Sequence, residues 1–184
     1  MESDTRQLLS ELREDHRNMA LVLNVLESTV ETATTGEDPD FELIDEVMHY
    51  MTVYPDAVHH PKEDVVYAEL KEQRPDLAEG LDDVPEDHKQ IAVLGNNLRD
   101  DVEAIVAGAA VRREQFIVDA LKYVGRLRSH MIWEEEDLFK RIDTMIGENS
   151  HAVDVGDFMH IKDPVFELEV EAAFRRLVSS LEND

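Results

Sequence analysis

His59-His60-Pro61-Lys62-Glu63 and His130-Met131-Ile132-Trp133-Glu134-Glu135 are the two stretches that decide the reading of this chain. In each, a carboxylate follows a histidine by four residues, and each is preceded by a lone histidine, His16 before the first and His88 before the second. His59 follows His16 by 43 residues and His130 follows His88 by 42. The chain therefore carries one pattern twice. On a helix, residues four apart lie about 40° apart around the axis, so His59 and Glu63 can face one centre.

Working outward, each member falls on a helical period. Leu8, Leu12, His16, Met19, Leu23, Leu26 and Val30 recur every three or four positions and predict a helix over 4–34. The turn residues Thr34 to Pro39 break it. A second helix spans 40–73, with Phe41, Ile44, Met48, Met51, His59, Glu63, Tyr67 and Leu70 on one stripe. Pro55 and Pro61 lie inside it, and each removes a backbone hydrogen bond, which predicts a kink or split near 54–61. A third helix spans 85–109, with Pro85 in its first turn and His88, Ile91, Leu94, Leu98 and Val102 on its apolar face. A fourth spans 112–146, with Phe116, Ala120, Tyr123, Leu127, His130, Glu134 and Leu138 on one face and Gly147 at its end. Residues 147–163 read as irregular, and a last amphipathic helix over 164–182 packs outside the others. No strand-period run competes with helix, and no linker divides the 184 residues. The expected fold is all-α, a single-domain up-down four-helix bundle with an additional C-terminal helix.

Composition narrows the chemistry. There is no cysteine, so disulfides, iron–sulfur clusters, thiolate zinc and cysteine nucleophiles are excluded together. Any metal must sit on nitrogen and oxygen, a set that suits iron, manganese or zinc. Acids outnumber bases 43 to 18, a formal charge of −25, which disfavours nucleic acid and anionic lipid as partners. Plain solubility and a high-salt cytoplasm both account for such a surface. No apolar run reaches the roughly 18 residues of a membrane span. The acidic start Met1-Glu2-Ser3-Asp4 lacks the pattern of a secretory signal, so a cytoplasmic location is expected.

A lone histidine on an apolar stripe is more often a hydrogen-bonded core residue than a ligand. Here four occur, one per helix, with two carboxylates beside them. Burying them unpaired costs several kcal/mol, which a metal would offset. His16, His59, His88 and His130 are candidate terminal ligands, and Glu63 with either Glu134 or Glu135 could bridge two cations, leaving vacancies for solvent or a diatomic gas. Glu134 repeats the His59-to-Glu63 step. Glu135 instead matches when the halves are aligned from the first histidine, and Phe139 then aligns with Tyr67. The five-residue step points away on a regular helix and requires a π-bulge. The balance favours Glu135, with Glu134 close behind. His60 points about 100° from His59 and is an accessory candidate. His49 belongs on the surface, His151 and His160 lie in the late loop, and Trp133 and Tyr123 are read as packing residues.

The segments Tyr54-Pro55-Asp56-Ala57-Val58-His59-His60-Pro61-Lys62-Glu63-Asp64, Asp15-His16-Arg17 and His130 to Phe139 resemble the hemerythrin-like, HHE cation-binding family over residues 5–146. The resemblance implies a bundle around a non-haem di-iron centre, with two iron ions and O2 or another small diatomic or peroxide ligand. It carries His16, the His59/Glu63 pair, His88 and the His130/Glu135 pair onto family ligand positions. Oxygen-carrying members have two histidines four apart on the third helix. Here Val84 and Ala92 flank His88 at that distance, so the site is one histidine short. Solvent, His60, Glu134, Glu86 or Asp87 could fill the gap. A di-iron enzyme acting on peroxide or nitric oxide and an iron- or oxygen-responsive regulatory or storage module are the alternative functions.

Overall fold

The computed structural model describes residues 2–110, 112–148, 152–154, 163–166 and 172–183. Helix α1 runs Thr5–Thr34 and is capped by Asp4, whose carboxylate accepts the Arg6 N–H at 2.7 Å. Helix α2 runs Phe41–Tyr54, with Asp40 accepting the Leu43 N–H at 3.0 Å. The irregularity predicted near Pro55 takes the form of a π turn, Pro55–His59, in which the His60 N–H reaches back to the Pro55 carbonyl. Helix α3, His60–Gln73, continues the same rod.

Helix α4 spans Val84–Val106, three residues shorter at its end than its periodicity predicts. Gly108, at φ 93°, stops it. The Gly108 N–H bonds the Ile105 carbonyl and the Ala109 N–H the Ala104 carbonyl, a Schellman closure that a side chain at Gly108 would strain. Helix α5, Arg113–Trp133, passes through a second π turn, Glu134–Leu138, into α6, Phe139–Glu148.

Two expectations are corrected. The last helix does not begin at Pro164. Asp163 accepts the N–H groups of Val165 and Phe166, which closes Pro164–Phe166 into a turn, and helix α7 covers only Arg175–Leu181 after a short 3-10 turn. An antiparallel ribbon also pairs β1, Glu2–Asp4, with β2, Ala152–Asp154. Strands of three residues are too short to leave a period-2 signal. His151 and His160 lie outside the described residues.

The rods pack side by side as a helical bundle. Helix α1 lies against α2 and α5, α4 lies against the same two, and α7 packs on α1 and α2. No helix among the described residues is long and apolar enough to cross a membrane. The interior is divided. One apolar core holds Met19, Leu23, Leu26, Met48, Leu98 and Tyr123 with their neighbours, and a second holds Leu8, Leu12, Leu70, Leu138 and Ile142 with theirs. Between them, at the level of His16 on α1, His59 and Glu63 at the α2–α3 junction, His88 on α4 and His130 and Glu134 at the α5–α6 junction, lies a polar layer.

Leu23 is fully buried in the larger core, and its truncation to Ala is expected to cost about 2–5 kcal/mol. Gly108→Ala is expected to cost about 1–2 kcal/mol through its positive φ alone. Urea unfolding of both variants checks the two values.

Candidate metal centre

The polar layer brings the sequence-derived histidines together. His16, His59, Glu63 and Glu134 offer ligand atoms within 4.8 Å of one another; so do His88, His130 and Glu134, and so do His60, Glu63 and His88. Glu63 and Glu134 each belong to two of these sets, and both are fully buried. His59 Nε2 lies 3.1 Å from Glu63, and His88 Nε2 lies 3.4 Å from the same carboxylate. Glu134 lies 3.3 Å from Nε2 of both His16 and His130. His88 Nε2 and His130 Nε2 face each other at 3.0 Å. At most one proton fits between those two nitrogens, and a cation is the other means of gathering both lone pairs.

The acid that the fold brings among the histidines is Glu134, not Glu135. The Glu135 side chain is about a third exposed, accepts from His16 Nδ1 at 3.1 Å and pairs with Arg13 at 3.5 Å. The reason is the second π turn. Phe139 follows His130 by nine residues where Tyr67 follows His59 by eight. The extra residue is taken up within Glu134–Leu138, after the acid rather than before it. Aligning Phe139 with Tyr67 therefore shifts the apparent acid by one position, while the step from His130 to Glu134 stays α-helical.

Three of the four rings are aimed by a carboxylate behind them. Nδ1 of His59 donates to Asp15 at 3.3 Å, Nδ1 of His130 to Asp87 at 3.0 Å, and Nδ1 of His16 to Glu135. Such bonds fix the tautomer and leave Nε2 as the lone pair facing the cluster. Asp15 also accepts from Lys62 at 2.9 Å and from the Tyr54 hydroxyl at 3.0 Å, and Asp87 pairs with Arg126. Sequence reasoning named Asp87 only as a possible ligand and gave no role to Asp15, Lys62 or Tyr54. A usable signal was present: an Asp-His dipeptide, Asp15-His16 and Asp87-His88, opens each half. In both, the Asp serves the second histidine of its half, on another helix. Tyr67 was also missed. Its hydroxyl stands 2.8 Å from Glu134 and 3.2 Å from Glu63, and its single proton can serve only one of them at a time. His49 lies against Arg99 and Phe174, away from the cluster.

The electrostatics follow from burial. Desolvation opposes charge on His59, yet Glu63 and Asp15 outweigh it and push its pKa up to about 10. Burial likewise opposes charge on His16, and the carboxylates of Glu134 and Glu135 raise it. His88 moves the other way, to about 3, because burial is reinforced by the neighbouring His60 and His130. Burial would raise Glu134, but the imidazoles of His16 and His130 hold it well below the usual carboxylate range. Tyr67 is pushed up by burial and by the two glutamates, so it remains a phenol.

The donor set fits a metal. His16 Nε2, Glu63 Oε2 and Glu134 Oε2 are buried and make no well-directed hydrogen bond; they face one another and the other imidazoles at 3.3–3.4 Å. Buried polar atoms are rarely left so, and three in one layer, all of ligand type, mark the place for a cation.

Two outcomes are expected. Metal requires neutral imidazole, so binding displaces protons from His16 and His59 and none from His88. Apparent affinity then rises between pH 6.5 and about 10, the window in which His59 would otherwise hold its proton. Over the same window the metal-free fold loses the stabilisation that protonated His59 supplies, which is fully present below its unfolded value. Calorimetry in buffers of different ionisation enthalpy counts the protons, and zero release contradicts the assignment. In a metal titration, Glu134→Gln is expected to lose at least one ion per chain. Glu135→Gln keeps the stoichiometry with affinity reduced about 10-fold, as for loss of a partner behind a ligand.

Comparison with known proteins places this geometry in a family. No curated protein and no solved structure matched the chain. The family model described as hemerythrin HHE cation-binding domain matches residues 7–142, a span that contains every residue of the polar layer and ends before β2 and α7. A chain that buries paired histidines and glutamates between two apolar cores, and that matches this model over most of its length, belongs to the hemerythrin HHE cation-binding domain family.

Proposed function

We propose that the polar layer holds two iron ions within an up-down four-helix bundle, and that the centre binds or reacts with O2 or a comparably small oxidant or nitrogen oxide. The observation that carries this reading is the convergence of three buried ligand atoms that lack a well-directed hydrogen bond, on His16, Glu63 and Glu134, with the ring nitrogens of His59, His88 and His130. By this reading His16 and His59 serve one ion and His88 and His130 the other. Glu63 and Glu134 reach both, since each is shared between ligand sets. The same nitrogen and oxygen donors also accept manganese or zinc. Iron, when bound, supplies the redox electrons and open coordination that O2 chemistry needs.

The chain's own residues set what can arrive. A cavity of about 30 Å³ adjoins His59 and His130 and is walled by Met19, Met51, Ile91, Gly95, Tyr123 and Met131. A water needs about 10–15 Å³ on the same measure, so the space suits a diatomic; a wider surface pocket lined by Arg13, Arg17, Arg128 and Glu135 reaches His16 from the other side. The walls of the small cavity are mostly apolar, which favours uncharged gases over ions. The apolar cores above and below leave Glu63 and Glu134 with no exposure. Asp15, Asp87 and Glu135 hold the rings so that no reorientation is needed when a ligand enters. Tyr67 keeps a proton on the carboxylate side of the site.

A second reading, catalytic turnover of peroxide or nitric oxide, draws on α4 supplying one imidazole where oxygen-carrying relatives supply two. The decisive experiment loads ferrous iron anaerobically, counts it per chain and then admits O2. Two irons with a visible band that forms with O2 and fades on its removal are expected for carriage. Irreversible oxidation with sustained loss of peroxide indicates turnover. One iron or none removes the dinuclear proposal. A Cβ at Gly95 would stand 3.0 Å from the Tyr123 ring and 3.3 Å from Thr52, so Gly95→Val should narrow the cavity. It is expected to slow the reaction with O2 about 10-fold, or ~1.4 kcal/mol of barrier, at unchanged iron content.

A further inference from the structure

Among the described residues, His60 is the histidine near the cluster that the ligand assignment above leaves unused. Its neighbour His59 points inward, and on a regular helix the next residue would point well away. The π turn that ends at His59 holds more residues per turn than an α-helix and so takes a smaller angular step. His60 consequently stays beside the layer. Its ring stacks on His88, centroids 4.0 Å apart and planes 16° from parallel, and its side chain is only about a fifth exposed.

The His60 ring is set up as three of the four other ligand rings are. Its Nδ1 donates to Asp56 at 3.0 Å, as His59 donates to Asp15, His130 to Asp87 and His16 to Glu135. The nitrogen that this bond leaves free is Nε2, the same atom that the other rings turn to the cluster. Ligand atoms of His60, Glu63 and His88 lie within 4.8 Å of one another. The half of the site built on His88 and His130 is the half in which α4 has Val84 and Ala92 where a second imidazole would stand.

We infer that His60 is a fifth imidazole ligand, binding through Nε2 the ion served by His88 and His130, so that α3 supplies the ligand α4 lacks. This rests on the dinuclear reading of the same layer. One ion then has two imidazoles and the other three, with Glu63 and Glu134 common to both.

Cobalt(II) titration of the full chain tests it, followed by visible absorption and by proton NMR of the hyperfine-shifted imidazole N–H signals. The informative variant is His60→Phe, which keeps a ring to stack on His88 but cannot ligate. Wild type is expected to bind two ions with five exchangeable N–H signals. His60→Phe is expected to show four, with one ion weakened about 10-fold or more and the other unchanged. Asp56→Ala, which keeps the ring and removes its hydrogen-bond partner, should weaken that same ion to a smaller degree. Two ions bound by His60→Phe with wild-type affinity and signal count overturn the inference, as does equal weakening of both ions. Wild type that binds fewer than two cobalt ions overturns the dinuclear reading itself, a different result from two ions with four N–H signals.

Discussion

The structure is organised by the cost of holding two carboxylates and several imidazoles between two apolar cores. Glu63 and Glu134 have no exposure at all. Leaving such groups unpaired is expensive, and pairing them in a dry interior repays the cost only when every remaining polar atom is also satisfied. Much of the surrounding sequence serves that requirement. Lys62 is buried beside Asp15 because Asp15 must be buried behind His59. Arg126 answers Asp87, and Tyr67 spans the two glutamates. What these neighbours do not satisfy is a small set of ligand atoms facing inward, and the fold tolerates them because a cation can.

The helices and the paired histidines were legible in the sequence because both rest on simple periods. A stripe that repeats every three or four residues marks a helix, and a histidine within it marks a buried imidazole. What was not legible depended on a shift of one residue or on a contact between helices. The choice between Glu134 and Glu135 turned on where a π turn falls, and residue types do not reveal that. The bonds from Asp15 to His59 and from Asp87 to His130 join residues 44 and 43 apart. They become visible only once two rods lie side by side, although the repeated Asp-His dipeptide hinted at them. The closing turn at Pro164 was hidden by an apolar pattern that helix and turn share, and it was decided by Asp163 reaching two backbone N–H groups and the Tyr50 hydroxyl.

The single histidine of α4 bears on what kind of chemistry the site performs. Under the proposed dinuclear reading, a centre one imidazole short would leave more room for solvent and oxidant at one ion, which would favour turnover. A ring recruited from α3 would close the room and restore a five-imidazole set by a different route. The two adjacent histidines, His59 and His60, would then face different ions across Glu63. The apolar cavity beside His59 and His60 adjoins the layer in either case.

Both π turns, Pro55–His59 and Glu134–Leu138, lie at the level of the polar layer. Each amounts to one residue inserted into an otherwise regular helix. Deleting one residue from the second, among Glu135, Glu136 and Asp137, would let the α ladder close and leave Leu138 and Phe139 in phase with their core. A similar deletion in the middle of α5 would rotate everything beyond it by about 100° and bury polar side chains. Length change is usually absorbed by loops. In this fold the helices can absorb it as well, at the layer where the ligands sit, so a residue gained or lost there need not disturb the register of either core.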